Sequence, residues 1–301
     1  RAAMVARSAI RGCLIVNNRT PAGLLFGYAA LYLSSGLVEQ CIVSNDNSIG
    51  IEASGTASLV RDCIVANNGG VGIDCRYGAR IDHCTITGNR NGGVICYLNG
   101  TLERSIISRN IAYREGGGVW CYYNCTVRNC LIRDNTAYPS ASYLGGGGVY
   151  ANGGLIQNCT ITANRASWYQ GGVRGGHDAT YENCIILGNT APYMQNFPDG
   201  HMRFINCCTT PDINSTNASG IVFGDPEFAD PSSNDFRLLP GSACVDAGGN
   251  RAWMNTSIDL DGHPRIINGI VDIGSYEGDQ AVPACNFIAA RRQQFVGQPV
   301  V

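Results

Sequence analysis

One pattern limits what this chain can fold into more than any other feature. A run of the form apolar-x-x-Cys-x-(Ile/Val)-x-x-Asn returns along most of the sequence. Its Cys position is held by Cys13, Cys41, Cys63, Cys84, Ser105, Cys130, Cys159, Cys184 and Cys207, in steps of 28, 22, 21, 21, 25, 29, 25 and 23 residues. Five residues further on come Asn18, Asp46, Asn68, Asn89, Asn110, Asn135, Asn164 and Asn189. Between these runs sits a second, Gly-rich motif, as in Gly93-Val94-Ile95-Cys96 and Gly118-Val119-Trp120-Cys121. A unit this short, built of β-forming runs and corner residues, is one turn of a right-handed parallel β-helix. About nine coils stacked ~4.8 Å apart make a rod of roughly 43 Å. The Asn position suits a left-handed corner, and stacked Asn side chains can bond to those above and below. A leucine-rich repeat has a similar period, but its Leu spacing and helical half are missing.

Composition then takes on meaning. The 39 glycines fit a chain of many corners, and most of the 15 cysteines fall on the stacked position, as small apolar core residues in a narrow interior. Cys75, Cys96 and Cys121 form a second, shorter stack, while Cys208, Cys244 and Cys285 lie outside both and are the better candidates for any disulfide. A net charge of −2 gives no electrostatic case for nucleic acid, and all 21 basic residues are Arg, which removes Lys chemistry. The uncharged stretch from Thr20 to Val38 is diluted by Gly and Ser and belongs to the repeat, not to a membrane span.

The repeat fades after Cys207, which divides the chain into a β-helix (1–210), a capping segment (211–280) and a linker with a first further strand (281–301). The capping segment carries Phe223-Gly-Asp-Pro-Glu-Phe228, Val245-Asp-Ala-Gly-Gly249, Asp259-Leu-Asp-Gly-His-Pro-Arg265 and Val271-Asp-Ile-Gly-Ser-Tyr-Glu277. In these motifs it resembles the C-terminal end of bacterial surface β-helix proteins of the choice-of-anchor type, many similar to polymorphic outer-membrane adhesins. The final stretch from Cys285 resembles the opening strand of a polycystic-kidney-disease-like domain. The resemblance implies a secreted or cell-surface module belonging to a longer protein. Asp246, Asp259, Asp261 and Asp272 raise the question of Ca²⁺. Their spacing does not match an EF-hand, so turn and cap hydrogen bonding is the simpler expectation, with no cofactor required.

Insertions gather at one corner, between the ladder Asn and the Gly-rich motif: 111–115, 136–144, 165–170 and 190–198. Repeat proteins carry insertions on one face, often the binding face. These loops hold Tyr113, Arg114, Tyr138, Tyr143, Trp168, Tyr169, Gln170, Tyr193, Met194, Gln195 and Phe197, and the following strands bring Trp120, Tyr150 and Arg174 outward. Aromatic planes beside Arg and amide groups suit stacking on sugar rings or on a surface protein. The competing expectation is that the loops bury their own aromatics. A polysaccharide lyase or glycoside hydrolase is the catalytic alternative, with Glu115, Asp178, Glu182 and Asp199 as candidate acids and His177 and His201 beside them. The outward series Glu52, Asp74, Ile95, Trp120, Tyr150, Arg174 changes character along the rod and shows no compact acidic cluster. A third expectation is self-assembly. If the Cys position faces inward, then Ile42, Ile64, Ile106, Leu131 and Ile185 form an outward apolar stripe; the opposite register buries them.

Overall fold

The computed structural model describes residues 4–6, 8–19, 29–138, 145–176, 178–197, 202–210 and 217–278. Three parallel sheets run the length of a right-handed β-helix. The first, from Met4–Ala6 to Val173–Gly175, has eight strands. The second, from Ala9–Arg11 to Ala218–Ser219, and the third, from Leu14–Val16 to Val222–Phe223, have ten each. Each coil visits the three sheets in that order, so every strand pairs with its equivalent one repeat away. Like side chains therefore stack in columns. Ile73, Val94, Val119, Val149 and Val173 are in register in the first sheet, and Ile86, Ile107, Ile132, Ile161 and Ile186 in the third. All ten are buried, each burial worth about 1.5–3 kcal/mol.

The cysteines of the long column lie at the corner between the second and third sheets and point inward, all buried from Cys41 to Cys207. Their thiols donate to the carbonyl two residues earlier, as Cys130 does to Arg128 at 3.1 Å. Inward Cys fixes the register of the third sheet: the next residue faces out and the one after that faces in. Cys125, absent from either expected stack, is also buried and contacts the shorter one at Cys96 and Cys121.

The Asn column departs from expectation in one respect. The left-handed residue is the one before it, as at Asn17, Asn45, Asn67, Arg109, Asp134 and Ala163. The column itself turns inward and forms a buried hydrogen-bonded ladder. Asn68 donates to Asn89 at 3.0 Å, Asn89 to Asn110 at 2.9 Å, and Asn110, Asn135 and Asn164 each to the next at 3.0 Å. The same amides bond the corner carbonyls, Asn110 to Ile86 at 3.0 Å, so the buried polar groups of the corner satisfy one another. The Gly-rich motif is glycine for closeness here: a Cβ on Gly93 would meet the Gly118 oxygen at 2.6 Å and the Asn110 amide nitrogen at 2.8 Å.

The segment after the repeat was expected to cap the rod's end. Its first strands, Ala218–Ser219 and Val222–Phe223, do add the last rung to two sheets. The rest turns back along the flank of the third sheet. An antiparallel pair, Phe228–Asp230 with Asp235–Leu238, leads into irregular chain that lies along the successive coils from Ile106 to Cys208. Phe236, Leu260 and Tyr276 cluster on Leu131, and Leu238, Cys244 and Ile273 on Ile185 and Cys208. Polar tethers accompany them: Asn129 to Ile258 at 3.0 Å, Asn158 to Asp272 at 3.2 Å, and Gly249 to Asn183 at 2.8 Å. The outward apolar stripe is thus real and half covered. Leu14, Ile42 and Ile64 are 67%, 41% and 44% exposed, whereas Leu131 and Ile185 are 2% and 1% exposed.

Within the stretch 20–38, residues 29–33 and 36–39 are strands of the first and second sheets, and 20–28 lie outside the described residues. Among the described residues no helix is long and apolar enough to cross a membrane.

Candidate functional site

The first sheet presents two outward columns. One runs Tyr32, Glu52, Asp74, Ile95, Trp120, Tyr150, Arg174; the other, two residues along each strand, runs Ser54, Arg76, Tyr97, Tyr122, Asn152. Strand alternation points both columns away from the core, although Asp74 is itself covered by its neighbours. Their middle is an aromatic patch. Tyr97 lies 6.2 Å from Tyr122 with rings nearly parallel, and 6.3 Å and 5.5 Å edge-on from Tyr77 and Tyr123, which stand exposed in the following turns. Trp120 is 6.3 Å from both Tyr122 and Tyr150. Its indole Nε1 is buried and has no hydrogen-bond partner. Trp120, Tyr150 and Arg174 were legible from the sequence. Tyr77, Tyr97, Tyr122 and Tyr123 were missed, although two-residue alternation along the same strands locates Tyr97 and Tyr122.

The insertion loops border this face. They begin as short stacked strands, Ile111–Ala112, Thr136–Ala137 and Arg165–Ala166. A cleft of about 40 Å³ lies between the first loop and the sheet, lined among others by Ile95, Arg114, Glu115 and Trp120. Tyr113 and Tyr138 stand exposed with centroids 6.5 Å apart; Tyr169 and Tyr193 stack at 5.1 Å, and Trp168 is exposed. Some loop residues do fold inward: Phe197 packs 5.5 Å from Phe204 in the core, and Gln170 is buried against Arg174 at 3.0 Å. Tyr143, Asp199, His177 and His201 lie outside the described residues.

The candidate acids are not gathered. Glu115 sits in the cleft and Asp178 is exposed beyond the end of a first-sheet strand. Glu182 lies on the second sheet, buried and held by Gln157 at 2.6 Å and by an ion pair to Arg251 of the C-terminal segment. It closes a column of charged and amide side chains along that sheet, in which Arg11 pairs with Glu39 at 2.7 Å and Arg128 with Glu103 at 3.6 Å. An acid pair does exist elsewhere, contrary to expectation. Glu52 and Asp74 are register partners on adjacent coils. Asp74 is buried and gripped by Arg76 through two hydrogen bonds, 2.7 and 2.6 Å, while burial, and then the neighbouring Asp74 charge, push the Glu52 carboxyl above its usual range. The pair adjoins the aromatic patch through Arg76 and Tyr97, which are also in register. The C-terminal aspartates are used by the backbone: Asp259 accepts from the Asp261, His263 and Glu277 amides, and Asp272 from those of Asp246 and Gly278.

Residues 3–104 match the family model described as the right handed beta helix region. No curated protein sequence matches the chain. Among solved structures, "Crystal structure of pectate lyase Pel9A" is similar at a TM-score of 0.53 and 12% identity, over 92% of this chain and 97% of that one. The likeness is one of fold: this chain is a right-handed parallel β-helix repeat protein.

Proposed function

We propose that this β-helix is a secreted or cell-surface module that binds an extended glycan across the first sheet. The observation that carries the reading is the contiguous, outward aromatic patch of Tyr77, Tyr97, Trp120, Tyr122, Tyr123 and Tyr150. Flat rings stack on the apolar faces of pyranose rings, and the polar edges of Arg76, Arg174 and Asn152 supply hydrogen bonds beside them. A parallel stack repeats the same spacing, which favours a polymer over a single sugar. The resemblance of the C-terminal motifs to surface proteins of the choice-of-anchor type supports the location, and protein partners on the same surface remain compatible with this chemistry. Binding should appear on a panel of soluble polysaccharides, pectate included because of the fold likeness. Trp120→Ala should weaken it about tenfold or more, in line with the ~1–3 kcal/mol carried by a central aromatic anchor. Equal retention of wild type and variant on every polymer would refute the reading.

A second reading rests on Glu52 and Asp74. Two neighbouring carboxyls in unlike environments, one raised by burial and one held by Arg76, share with glycoside hydrolases a division between a proton donor and an ionised partner. It predicts new reducing ends from a bound polymer and their loss in Glu52→Gln. Polymer that binds and stays intact would leave a binding module. The exposed stripe of Leu14, Ile42 and Ile64 further supports side-by-side self-association, which Ile42→Lys should abolish in light scattering.

A further inference from the structure

Of the cysteines outside the ladders, Cys285 lies outside the described residues, and Cys208 and Cys244 stand apart in the structure as well. Cys208 occupies the outward stripe of the third sheet, in register with Ile185 on one side and Val222 on the other. Cys244 comes from the segment that folds back over that stripe. Its amide is fixed by the Ser242 hydroxyl at 3.1 Å, and its carbonyl accepts from Ile273 at 2.9 Å. Both residues are fully buried in one cluster with Ile185, Leu238 and Ile273, and their thiols meet. Ladder cysteines sit side by side on one surface, pointing the same way. Cys208 and Cys244 instead approach from the two sides of a packing interface, which is how a cross-link joins separate elements.

We propose that Cys208 and Cys244 are a disulfide site that staples the C-terminal segment to the flank of the rod when the chain folds under oxidising conditions. The oxidant is a small-molecule disulfide such as oxidised glutathione. One protein thiolate attacks a glutathione sulfur, forms a mixed disulfide and releases one glutathione thiolate. The second protein thiolate then attacks the protein sulfur of that bond and releases the other. Two protein thiols lose two electrons and two protons, and the glutathione disulfide gains them and becomes two thiols. In the closed structure the facing Cys208 thiol, and then burial, hold the Cys244 thiol protonated, so exchange takes place before the segment docks or when it lifts. The staple closes a loop from residue 208 to 244 and ties down the tethers of Gly249, Ile258 and Asp272 that follow it.

The test is refolding of the whole chain in a glutathione redox buffer and, separately, in excess dithiothreitol. Each product is alkylated while denatured and mapped by non-reducing peptide mass spectrometry. The oxidised sample should yield a Cys208–Cys244 linked peptide. Amide exchange within residues 245–278 should be on the order of 100-fold slower than in the reduced sample. Cys244→Ser, carried through the same buffers, should lose both differences while its first-sheet amides stay protected. Fully alkylated Cys208 and Cys244 after oxidation, linkage of either to Cys285 or a ladder cysteine, or a link without added protection would overturn the proposal.

Discussion

A single oxygen shows how strictly the buried ladder is specified. Asp46 takes the place of an Asn, accepts from the Asn18 side chain at 2.9 Å, and leaves its other carboxyl oxygen buried with no partner. An amide there would donate to Asn68, as every later rung does. Burial raises the Asp46 carboxyl above its usual 3.8, so the folded state binds its proton more tightly than the unfolded one. Stability from this group is therefore greatest below the unfolded value and falls as pH rises through the window above it. Asp46→Asn should raise stability at neutral pH by about 1 kcal/mol and flatten that pH dependence, read from urea midpoints at several pH values. Asn110→Ala should do the reverse, costing about 2–3 kcal/mol, because it strips partners from Asn89 and from the Ile86 carbonyl. The ladder was legible as a column of Asn. Its left-handed neighbour was not, because pairs such as Asn17-Asn18 and Asn67-Asn68 put the same residue type at both positions.

At the scale of elements, one repeat position has two fates. Ile64 and Leu131 are equivalent outward residues of the third sheet, yet only Leu131 lies under the C-terminal segment. Leu131→Ala should cost about 2–5 kcal/mol and loosen the segment, whereas Ile64→Ala should stay within about 0.5 kcal/mol. Calorimetry of the two variants checks the contrast, and equal effects would contradict the packing described. Strand order, register alternatives and the stripe were all readable from the spacing of Cys and Ile. The covering of the stripe was not. It rests on a segment with no period of its own and on contacts such as Asn129 to Ile258, 129 residues apart in the chain. The same contacts explain why Glu182, a candidate acid in the sequence, is a structural ion-pair partner of Arg251.

Across the whole molecule, the rod separates its surfaces by sheet. The second sheet carries a column of charged and amide side chains, the third is partly wrapped by the chain's own C-terminal segment, and the first is left open with its aromatics and the Glu52–Asp74 pair. Half of that open face was visible in the sequence: Trp120 and Tyr150 stand two residues after the motif glycines Gly118 and Gly148. Tyr97 and Tyr122 stand four residues after Gly93 and Gly118, a second outward column that appears once the strands are known to extend far enough. Glu52 and Asp74 were already successive members of the outward series read from the sequence; what that reading missed is that the two carboxyls form a pair, one buried against Arg76 and the other raised by burial. The most direct test is titration calorimetry of the polymer that binds best, using wild type and Tyr97→Ala/Tyr122→Ala. The double variant removes two half-buried outward rings and no core residue, so the fold should persist and affinity should drop by about tenfold or more. Unchanged affinity in a folded double variant would contradict glycan binding at this face.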